Sequence, residues 1–316
     1  MKEKNILIIP DIHGRVFWKE AVCKTSFDKV VFLGDYLDPY YHDMILHDIT
    51  KDTAVENFKE IICYKKENPE STVLLLGNHD CTYLYGRSIC DSRCDDSRYD
   101  DIRRLFTDNR DLLQIAFDVV MRKRKNVFSH AGISIKWMDR HLAGWTPDNM
   151  VELLNDANAA ALASINPEET PFSEALAITG RYRGRSTDDY GSPVWMDAEL
   201  LHESEHLEGM TQIVGHTQRI SRWPVITSDA IYADCGGHAF VLNSYGSIRT
   251  VDGKRCVNGV PDPFDPYRGK NTSRSIEFDC FDRPYCLKCG SRDIHERGGT
   301  FVNAYRCNVC GAKEYF

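Results

Sequence analysis

Five apolar runs of the chain end in polar side chains of the kinds that ligate metals or transfer protons. Their endings read PDIHG, FLGDYLD, GNHD, FSHAG and IVGHTQ, and each contains a glycine. In an α/β sheet the carboxyl ends of the strands open on one crevice, so side chains far apart in the chain can meet there. The endings supply six candidate metal ligands: Asp11, His13, Asp35, Asn78, His130 and His216.

This mixture of carboxylate, amide and imidazole ligands is more typical of Mn, Fe or Zn sites than of Ca or Mg sites. Six ligands exceed what one tetrahedral site needs. Two cations roughly 3.5 to 4 Å apart that share one carboxylate would use all six and leave positions for water and substrate. Each ending taken alone is more often a turn or a cap, but five in succession favour a two-metal hydrolase.

The same series resembles the calcineurin-like metallophosphoesterase superfamily over about residues 5 to 245. The wording Asp-x-His-Gly, Gly-Asp-Tyr-x-Asp, Gly-Asn-His-Asp, His-Ala-Gly and Gly-His-Thr is most similar to its phosphoprotein (serine/threonine) phosphatase branch of bacterial or phage type. The resemblance implies an α-β-β-α sandwich of two mixed sheets flanked by helices. It also implies that one metal is held by Asp11, His13 and Asp35, and the other by Asp35, Asn78, His130 and His216.

Such a site predicts hydrolysis of phosphate monoesters by in-line attack of a hydroxide that bridges the two cations, without a covalent enzyme intermediate. His79, next to a candidate ligand, is placed to protonate the leaving alkoxide. The resemblance assigns Asp38 as the carboxylate that orients this imidazole. The alternatives are a structural histidine bound to the backbone and a plain turn carboxylate.

A substrate phosphate calls for an arginine, because a planar guanidinium can hold two oxygens at once. In the phosphoprotein phosphatases one such arginine directly follows the residue that corresponds to Asp38, but this sequence has Pro39 there. The second family arginine lies in an Arg-Gly stretch. The stretch RYRGRSTDDYG offers Arg183 for it, flanked by Arg181 and Arg185, with a solvated basic loop as the alternative.

Two further features bear on the substrate. The stretch YADCGGHAF weakly resembles the family's last loop beside the metals, which makes Asp234, Cys235 and His238 near-site candidates unless they form a plain strand-end turn. Related phosphodiesterases and nucleases carry Gly-His-x-His, whereas this chain has Gln218 in the last place, and glutamine ligates such metals poorly. We therefore expect a monoesterase. The alternatives are a diadenosine tetraphosphate hydrolase, a nucleic-acid phosphatase or nuclease, and a scaffold that has lost its chemistry.

Four of the twelve cysteines have a spacing with its own explanation. The stretches CLKCG and CNVCG place Cys286, Cys289, Cys307 and Cys310 as two CxxC pairs, which predicts a zinc ribbon with one structural zinc. A redox pair is the alternative. Neighbouring basic residues give the ribbon a face that could bind a macromolecular partner, and a purely structural role is the other interpretation.

Composition limits the function classes. The 316 residues are 42% hydrophobic and 27% charged, which is typical of a globular protein. A net charge of −8 argues against broad attraction to a nucleic-acid backbone or an anionic membrane. The apolar run Ile6 to Ile9 is too short for a signal-peptide core, and no segment approaches the roughly 18 apolar residues that span a bilayer. We expect a cytoplasmic protein without a membrane partner.

The elements that must position these side chains alternate between short apolar strands and helical patterns, which predicts an α/β architecture. Helices are expected over 54–66, from the cap Thr146 and Pro147 to Ala163, and briefly near Ile102 to Phe106. The expected domains are a catalytic domain at 1–251, a connector at 252–284 and the ribbon at 285–316. Strands are expected at Asn5 to Ile9, Lys29 to Leu33, Val73 to Leu76, Asn126 to Ser129, Thr211 to Val214, Ala230 to Ala233 and Phe240 to Asn243.

Overall fold

Two mixed β-sheets lie at the centre of the fold in a computed structural model of the chain. The structure describes residues 5–90, 93–121, 123–183, 187–205, 207–218 and 223–256, and five short strands beyond them. The strands are β1 (Asn5–Ile9), β2 (Lys29–Phe32), β3 (Thr72–Leu75), β4 (Leu113–Gln114), β5 (Ala116–Met121), β6 (Arg124–Ser129), β7 (Met210–Val214), β8 (Val225–Ile226), β9 (Ala230–Tyr232), β10 (Phe240–Asn243), β11 (Ile248–Thr250), β12 (Arg255–Cys256), β13 (Ile276–Phe278), β14 (Pro284–Cys286), β15 (Ile294–Arg297), β16 (Ala304–Cys307) and β17 (Lys313–Tyr315).

The helices that flank these sheets follow the strands in the chain. They are α1 (Phe17–Lys24), α2 (Tyr41–Leu46), α3 (Lys51–Glu67), α4 (Asn78–Tyr85), α5 (Tyr99–Asp108), α6 (Ile135–His141), α7 (Met150–Leu162), α8 (Pro171–Leu176) and α9 (Ala198–Glu203). Within the residues described, no helix is long and apolar enough to cross a membrane.

The larger sheet has the strand order β12-β11-β10-β1-β2-β3-β4, and the smaller has the order β5-β6-β7-β9-β8. In the larger sheet β1 to β4 are parallel, and β10 to β12 extend it with antiparallel pairing. In the smaller sheet β6, β7 and β9 are parallel, with antiparallel β5 and β8 at the edges. Both sheets are therefore mixed, as the sequence predicts, and the carboxyl ends of β1, β2, β3, β6 and β7 carry the candidate site residues.

Alternating residues of β1 divide the core into two layers. Leu7 and Ile9 belong to the cluster that also contains Phe58 of α3, whereas Ile6 and Ile8 belong to the cluster that contains Phe128 of the other sheet. Because successive strand residues point to opposite faces, both faces of the strand are buried. The outer face of the smaller sheet packs against α9. This is the α-β-β-α sandwich that was predicted.

The element predictions are largely confirmed, with small shifts at the boundaries. Helix α3 begins after Thr50, whose hydroxyl accepts a hydrogen bond from the backbone of Thr53, so it is three residues longer at its start than predicted. The start of α7 was predicted wrongly. The Asn149 side chain binds the backbone N–H of Thr146, which forms a turn, and the helix begins only at Met150.

The larger sheet extends past residue 251, where the catalytic domain was expected to end. Strand β12 pairs with β11 through Ile248 and Cys256 and through Arg249 and Arg255. Further along the chain, β13 pairs with β14, and β15, β16 and β17 form an antiparallel meander. The division into three domains stays a prediction.

Candidate functional site

Four candidate site residues have left-handed backbone conformations. The φ angles are 43° at His13, 51° at Asp35, 58° at Asp38 and 63° at His216. Residues other than glycine adopt this region at a cost, and such residues cluster where the surrounding structure enforces a functional geometry. Here the backbone N–H groups of Ile12 and His13 bind the carbonyl oxygen of Asp35, at 3.1 and 2.7 Å, and tie the loop after β1 to the loop after β2.

Two glycines allow the backbone to approach the candidate carboxylate ligands. A Cβ atom on Gly215 would lie 2.1 Å from Oδ1 of Asp11, and one on Gly77 would lie 2.1 Å from Oδ1 of Asp35. Real Cβ atoms do not come so close to an oxygen. The N–H that follows Gly215, on His216, instead donates to both oxygens of Asp11 at 3.0 Å. Gly77 and Gly215 therefore leave the space that these two carboxylates occupy.

The candidate ligands form two groups that share one residue. Asp11, His13 and Asp35 place ligand atoms within 4.8 Å of one another, and so do Asp35, His130 and His216. Oδ2 of Asp35 lies 3.4 Å from Nε2 of His13 and 3.5 Å from Nε2 of His130, so it lies between the groups. All of these side chains are buried.

Asn78 completes the second group. Its Oδ1 lies 3.1 Å from Nε2 of His130, and Nδ1 of His216 lies 3.1 Å from the same nitrogen. The fold thus brings together all six residues that the strand endings singled out. Their individual roles as ligands stay predictions.

Backbone carbonyls fix the tautomers of two imidazoles. Nδ1 of His13 lies 2.9 Å from the carbonyl oxygen of Leu37, and Nδ1 of His130 lies 2.8 Å from that of Leu33. Because a carbonyl only accepts, each Nδ1 carries the hydrogen and each Nε2 presents a lone pair to the site. These lone pairs face an oxygen of Asp35, an arrangement that a cation between them stabilises.

Burial and neighbouring charges shift the pKa values of two candidate ligands, Asp11 and His13. Burial raises the pKa of Asp11 well above its ordinary value, and the charges of Asp234 and Asp35 raise it further. The pKa of His13 is well below its ordinary value, first because of burial and then because of the nearby cations of Arg93, His79 and Arg15. Crowded carboxylates beside a neutral imidazole are a donor set that fits divalent cations.

A family comparison identifies this arrangement. The model for the calcineurin-like phosphoesterases, Metallophos, matches residues 4–219, more than half of the chain. The chain belongs to the calcineurin-like phosphoesterase family. Its members are metal-dependent, so this chain is a metal-dependent phosphoesterase, and the two donor groups are the candidate metal site of that family.

Three solved structures match the chain at low sequence identity. A mutant cold-active protein tyrosine phosphatase matches with 17% identity and a TM-score of 0.44, and the match covers 80% of this chain and 79% of that one. The cold-active protein tyrosine phosphatase of a psychrophilic Shewanella species matches with 17% identity, a TM-score of 0.41 and the same coverage. The Escherichia coli phosphoesterase YfcE matches with 12% identity and a TM-score of 0.35, over 80% of this chain and 97% of that one. Among curated proteins, none matches this chain significantly.

Near the two donor groups of this phosphoesterase, His79 and Asp38 form a buried pair. Nδ1 of His79 lies 2.8 Å from Oδ2 of Asp38, and the other carboxylate oxygen accepts a 2.7 Å hydrogen bond from the hydroxyl of Tyr83. Burial raises the pKa of Tyr83 far above its ordinary value, and Asp38 raises it further, so the phenol remains a donor. The pair has the geometry of an imidazole that a carboxylate orients through Nδ1.

Several neighbouring groups shift the pKa of His79. Burial by itself lowers the pKa of His79, but Cys90 and Asp35 raise it, and the hydrogen bond to Asp38 adds to the increase, so that the net pKa lies well above its ordinary value. Arg93 opposes them. Its Nη2 lies 3.0 Å from Nε2 of His79, and the sulfur of Cys90 lies 4.0 Å from the same nitrogen.

Asp80 holds the start of α4 in place beneath the site. Its carboxylate accepts hydrogen bonds from the backbone N–H groups of Gly77 at 2.8 Å, Asp35 at 2.7 Å and Tyr36 at 3.0 Å. Burial raises the pKa of Asp80, and the nearby Asp35 raises it further, while the three N–H donors act in the opposite direction. One carboxylate thus joins the first turn of α4 to the loop after β2.

Of the three arginines predicted for phosphate binding, the structure describes the side chain of Arg181. Arg181 pairs with Glu203 at 2.5 Å and lies over the ring of its neighbour Tyr182, on the surface. Arg183 ends the same short helical turn, and Arg185 lies outside the described residues. Of the near-site candidates, Asp234 is buried and influences Asp11 directly, as the pKa of Asp11 indicates.

The cysteines of the predicted ribbon lie only partly within the described residues. Cys286 ends β14 and Cys307 ends β16, whereas Cys289 and Cys310 lie outside the described residues. The zinc site stays a prediction.

Sequence reasoning missed Tyr83, Asp80 and Arg93. Asp80 belongs to the GNHD ending and follows Gly77 by three residues, which is a capping signal that could have been used. Tyr83 lies one helical turn after His79 and so shares its face, a weaker signal. Arg93 lies in a segment rich in Arg and Asp between α4 and α5, and no local pattern distinguishes it there.

Proposed function

We propose that this phosphoesterase is a dinuclear phosphate monoesterase related to the serine/threonine protein phosphatases. The observation that supports two metals over one is the position of Asp35, whose Oδ2 lies 3.4 and 3.5 Å from imidazoles of two separate donor groups. A carboxylate in that place can bridge two cations. Asp11 and His13 would complete one site, and the other would be completed by Asn78, His130 and His216. The ions are Mn, Fe or Zn, which suit this ligand set.

When bound, two such cations lower the pKa of coordinated water and neutralise phosphate oxygens. The residues of the chain then divide the remaining work. Asp38 accepts from Nδ1 of His79 and keeps Nε2 directed at the site. From there His79 gives a proton to the leaving oxygen, which makes an alkoxide such as that of serine an acceptable leaving group.

The monoester preference is supported by two features of the chain. Gln218 stands where a second histidine would complete a diesterase site, and its amide is a poor ligand for these ions. The buried pair of His79 and Asp38 serves a leaving group that needs protonation. We therefore infer a phosphoprotein as substrate, with a phosphorylated nucleotide as the second choice.

A substrate panel tests this function. The protein loaded with Mn, Fe or Zn is assayed on a phosphoserine peptide, p-nitrophenyl phosphate, diadenosine tetraphosphate and bis(p-nitrophenyl) phosphate. We expect turnover of the two monoesters, with kcat/KM at least about tenfold above that for the diester, a difference of about 1.4 kcal/mol in transition-state stabilisation. Activity confined to the dinucleotide would favour the tetraphosphate hydrolase, and activity confined to the diester would favour a nuclease.

We also propose that Cys286, Cys289, Cys307 and Cys310 bind one structural zinc. Two CxxC knuckles at this spacing supply the four thiolates of a tetrahedral site. The pairing of β15 with β16 and of β16 with β17 gives this region the antiparallel strands typical of a ribbon. A ribbon of this kind would recruit a macromolecular substrate or partner, while the chemistry remains at the strand ends of the two sheets.

A further inference from the structure

Arg93 lies next to the nitrogen of His79 that the proposed function assigns to proton donation. Its Nη2 is 3.0 Å from Nε2 of His79, and its guanidinium carbon lies 3.8 Å from the centre of the Tyr40 ring. The backbone at Arg93 has a φ of 61°, the left-handed region that arginine rarely adopts. The chain thus accepts a costly local conformation, and the guanidinium of Arg93 lies over the Tyr40 ring and beside His79.

The ring of Tyr40 contacts the candidate ligand His13 and two arginines. Its ring is buried, and the His13 ring meets it edge-on with the centroids 4.5 Å apart. The guanidinium carbon of Arg15 also lies over this ring, 5.3 Å from its centre. Arg15 forms an ion pair with Asp43, in which Nε and Nη2 lie 2.8 and 2.6 Å from Oδ2. Arg93 places its Nη2 beside Nε2 of His79 and not beside Asp43 Oδ2, which Arg15 contacts.

We propose that Arg93 binds a non-bridging oxygen of the substrate phosphate, in compensation for the arginine that Pro39 replaces. This inference rests on the proposed phosphate monoesterase. An oxygen that receives a proton from Nε2 of His79 is bonded to the phosphorus, so a donor 3.0 Å from that nitrogen reaches another oxygen of the same group. Guanidinium is the side-chain group best suited to a phosphate with two exposed oxygens.

The sequence around Pro39 explains why the guanidinium comes from elsewhere. Proline removes the arginine from the loop after β2, and the residue that follows, Tyr40, supplies the surface on which an arginine from a later loop rests. Substrates would then meet an arginine carried by the segment between α4 and α5. Substitution of Arg93 is therefore expected to change substrate affinity without changing the candidate metal site.

The test compares Arg93→Ala and Arg93→Lys with Arg87→Ala. Arg87 is a matched control, because it is carried by the same segment but lies over Tyr99 at 4.5 Å and pairs with Asp96. Inorganic phosphate is titrated calorimetrically into each Mn-loaded protein, and KM for p-nitrophenyl phosphate is measured separately. Arg93→Ala loses a charged hydrogen-bond partner of the phosphate, so we expect its Kd for phosphate and its KM to rise about 10- to 100-fold. We expect a smaller rise in Arg93→Lys and no change in Arg87→Ala.

A second measurement needs no variant. Phenylglyoxal modifies accessible arginines, and mass spectrometry then reports the labelling of Arg93 and Arg87 in the unaltered protein. Saturating phosphate is expected to protect Arg93 at least about fivefold and to leave Arg87 unprotected. Added guanidinium is expected to restore part of the phosphate affinity of Arg93→Ala but not to affect the control.

The outcomes separate this inference from the proposed function. If Arg93→Ala is folded, binds Mn normally and binds phosphate within twofold of the unaltered protein, or if phosphate gives Arg93 no protection, Arg93 is not a phosphate ligand. If the unaltered protein binds phosphate through Arg93 but hydrolyses no monoester, the inference stands and the proposed function fails.

Discussion

At the residue scale, the carboxylate of Asp38 is bound from both sides, by His79 and by Tyr83. Asp38→Asn keeps the shape of the side chain but weakens its hydrogen bond to the imidazole, and we expect kcat to fall about 10- to 100-fold. His79→Asn removes the proton donor, and we expect kcat to fall about 10²- to 10⁴-fold. The loss should be larger on a phosphoserine peptide than on p-nitrophenyl phosphate, since nitrophenolate leaves without a proton. Equal losses on both substrates would argue against proton donation by His79. Tyr83→Phe is the mild control, with an expected loss of only a few fold.

A second residue-scale prediction concerns Gly215. Alanine there would place Cβ 2.1 Å from Oδ1 of Asp11, so the carboxylate must move and the metal site loses a ligand. We expect Gly215→Ala to bind Mn at least about tenfold more weakly, measured by metal analysis after dialysis at a fixed free Mn concentration. Gly246→Ala is the control, because its φ of 76° makes alanine costly while nothing lies near the added Cβ. It should lose about 1 to 2 kcal/mol of stability and no metal. Normal Mn content in Gly215→Ala would contradict the assignment of Asp11 as a ligand.

At the element scale, the first turn of α4 depends on Asp80. Three backbone N–H groups donate to its carboxylate, and all of them are buried with it. Alanine would leave these donors unsatisfied, and we expect Asp80→Ala to lower the free energy of unfolding by about 2 to 5 kcal/mol, as measured by urea denaturation. Asp52→Ala removes an exposed carboxylate from the first turn of α3 and should cost less than about 1 kcal/mol. Similar midpoints for the two variants would show that the bonds of Asp80 contribute little.

The elements also show how far sequence reasoning reaches. Strand β1 is predictable because its continuous apolar run is buried on both faces, and the candidate ligands follow because each comes shortly after a strand. The contacts of Arg93 are not predictable in this way. Its partners Tyr40 and His79 come from two other elements, and their meeting depends on how the segment after α4 returns to the site. The start of α7 at Met150 was not predicted either, because the side chain of Asn149 binds the backbone N–H of Thr146 and forms a turn there.

At the scale of the whole molecule, the metal ions should stabilise the fold. Asp11, Asp35 and Asp234 lie buried together, and without cations their charges repel one another. Removal of metal with a chelator should therefore lower Tm, and Mn at 100 times its Kd should restore about 2.7 kcal/mol. Asp35→Asn removes the carboxylate common to both donor groups, so its Tm should respond to Mn much less. A Tm that is the same with and without Mn in the unaltered protein would contradict a metal site at these residues.

The C-terminal cysteines give the last whole-molecule prediction. If the two CxxC pairs close one zinc site, the doubly substituted full chain Cys286→Ser and Cys289→Ser should lose one equivalent of zinc, measured by release to a chromophoric chelator. The matched control is Cys23→Ser with Cys63→Ser, which removes two exposed cysteines of the catalytic region and should leave the zinc content unchanged. Turnover of p-nitrophenyl phosphate should stay the same in both proteins, because the candidate active site lies at the strand ends of the two sheets. A fall in turnover of a phosphoprotein alone would assign the ribbon to substrate recruitment, whereas equal zinc in the two proteins would exclude a four-cysteine site.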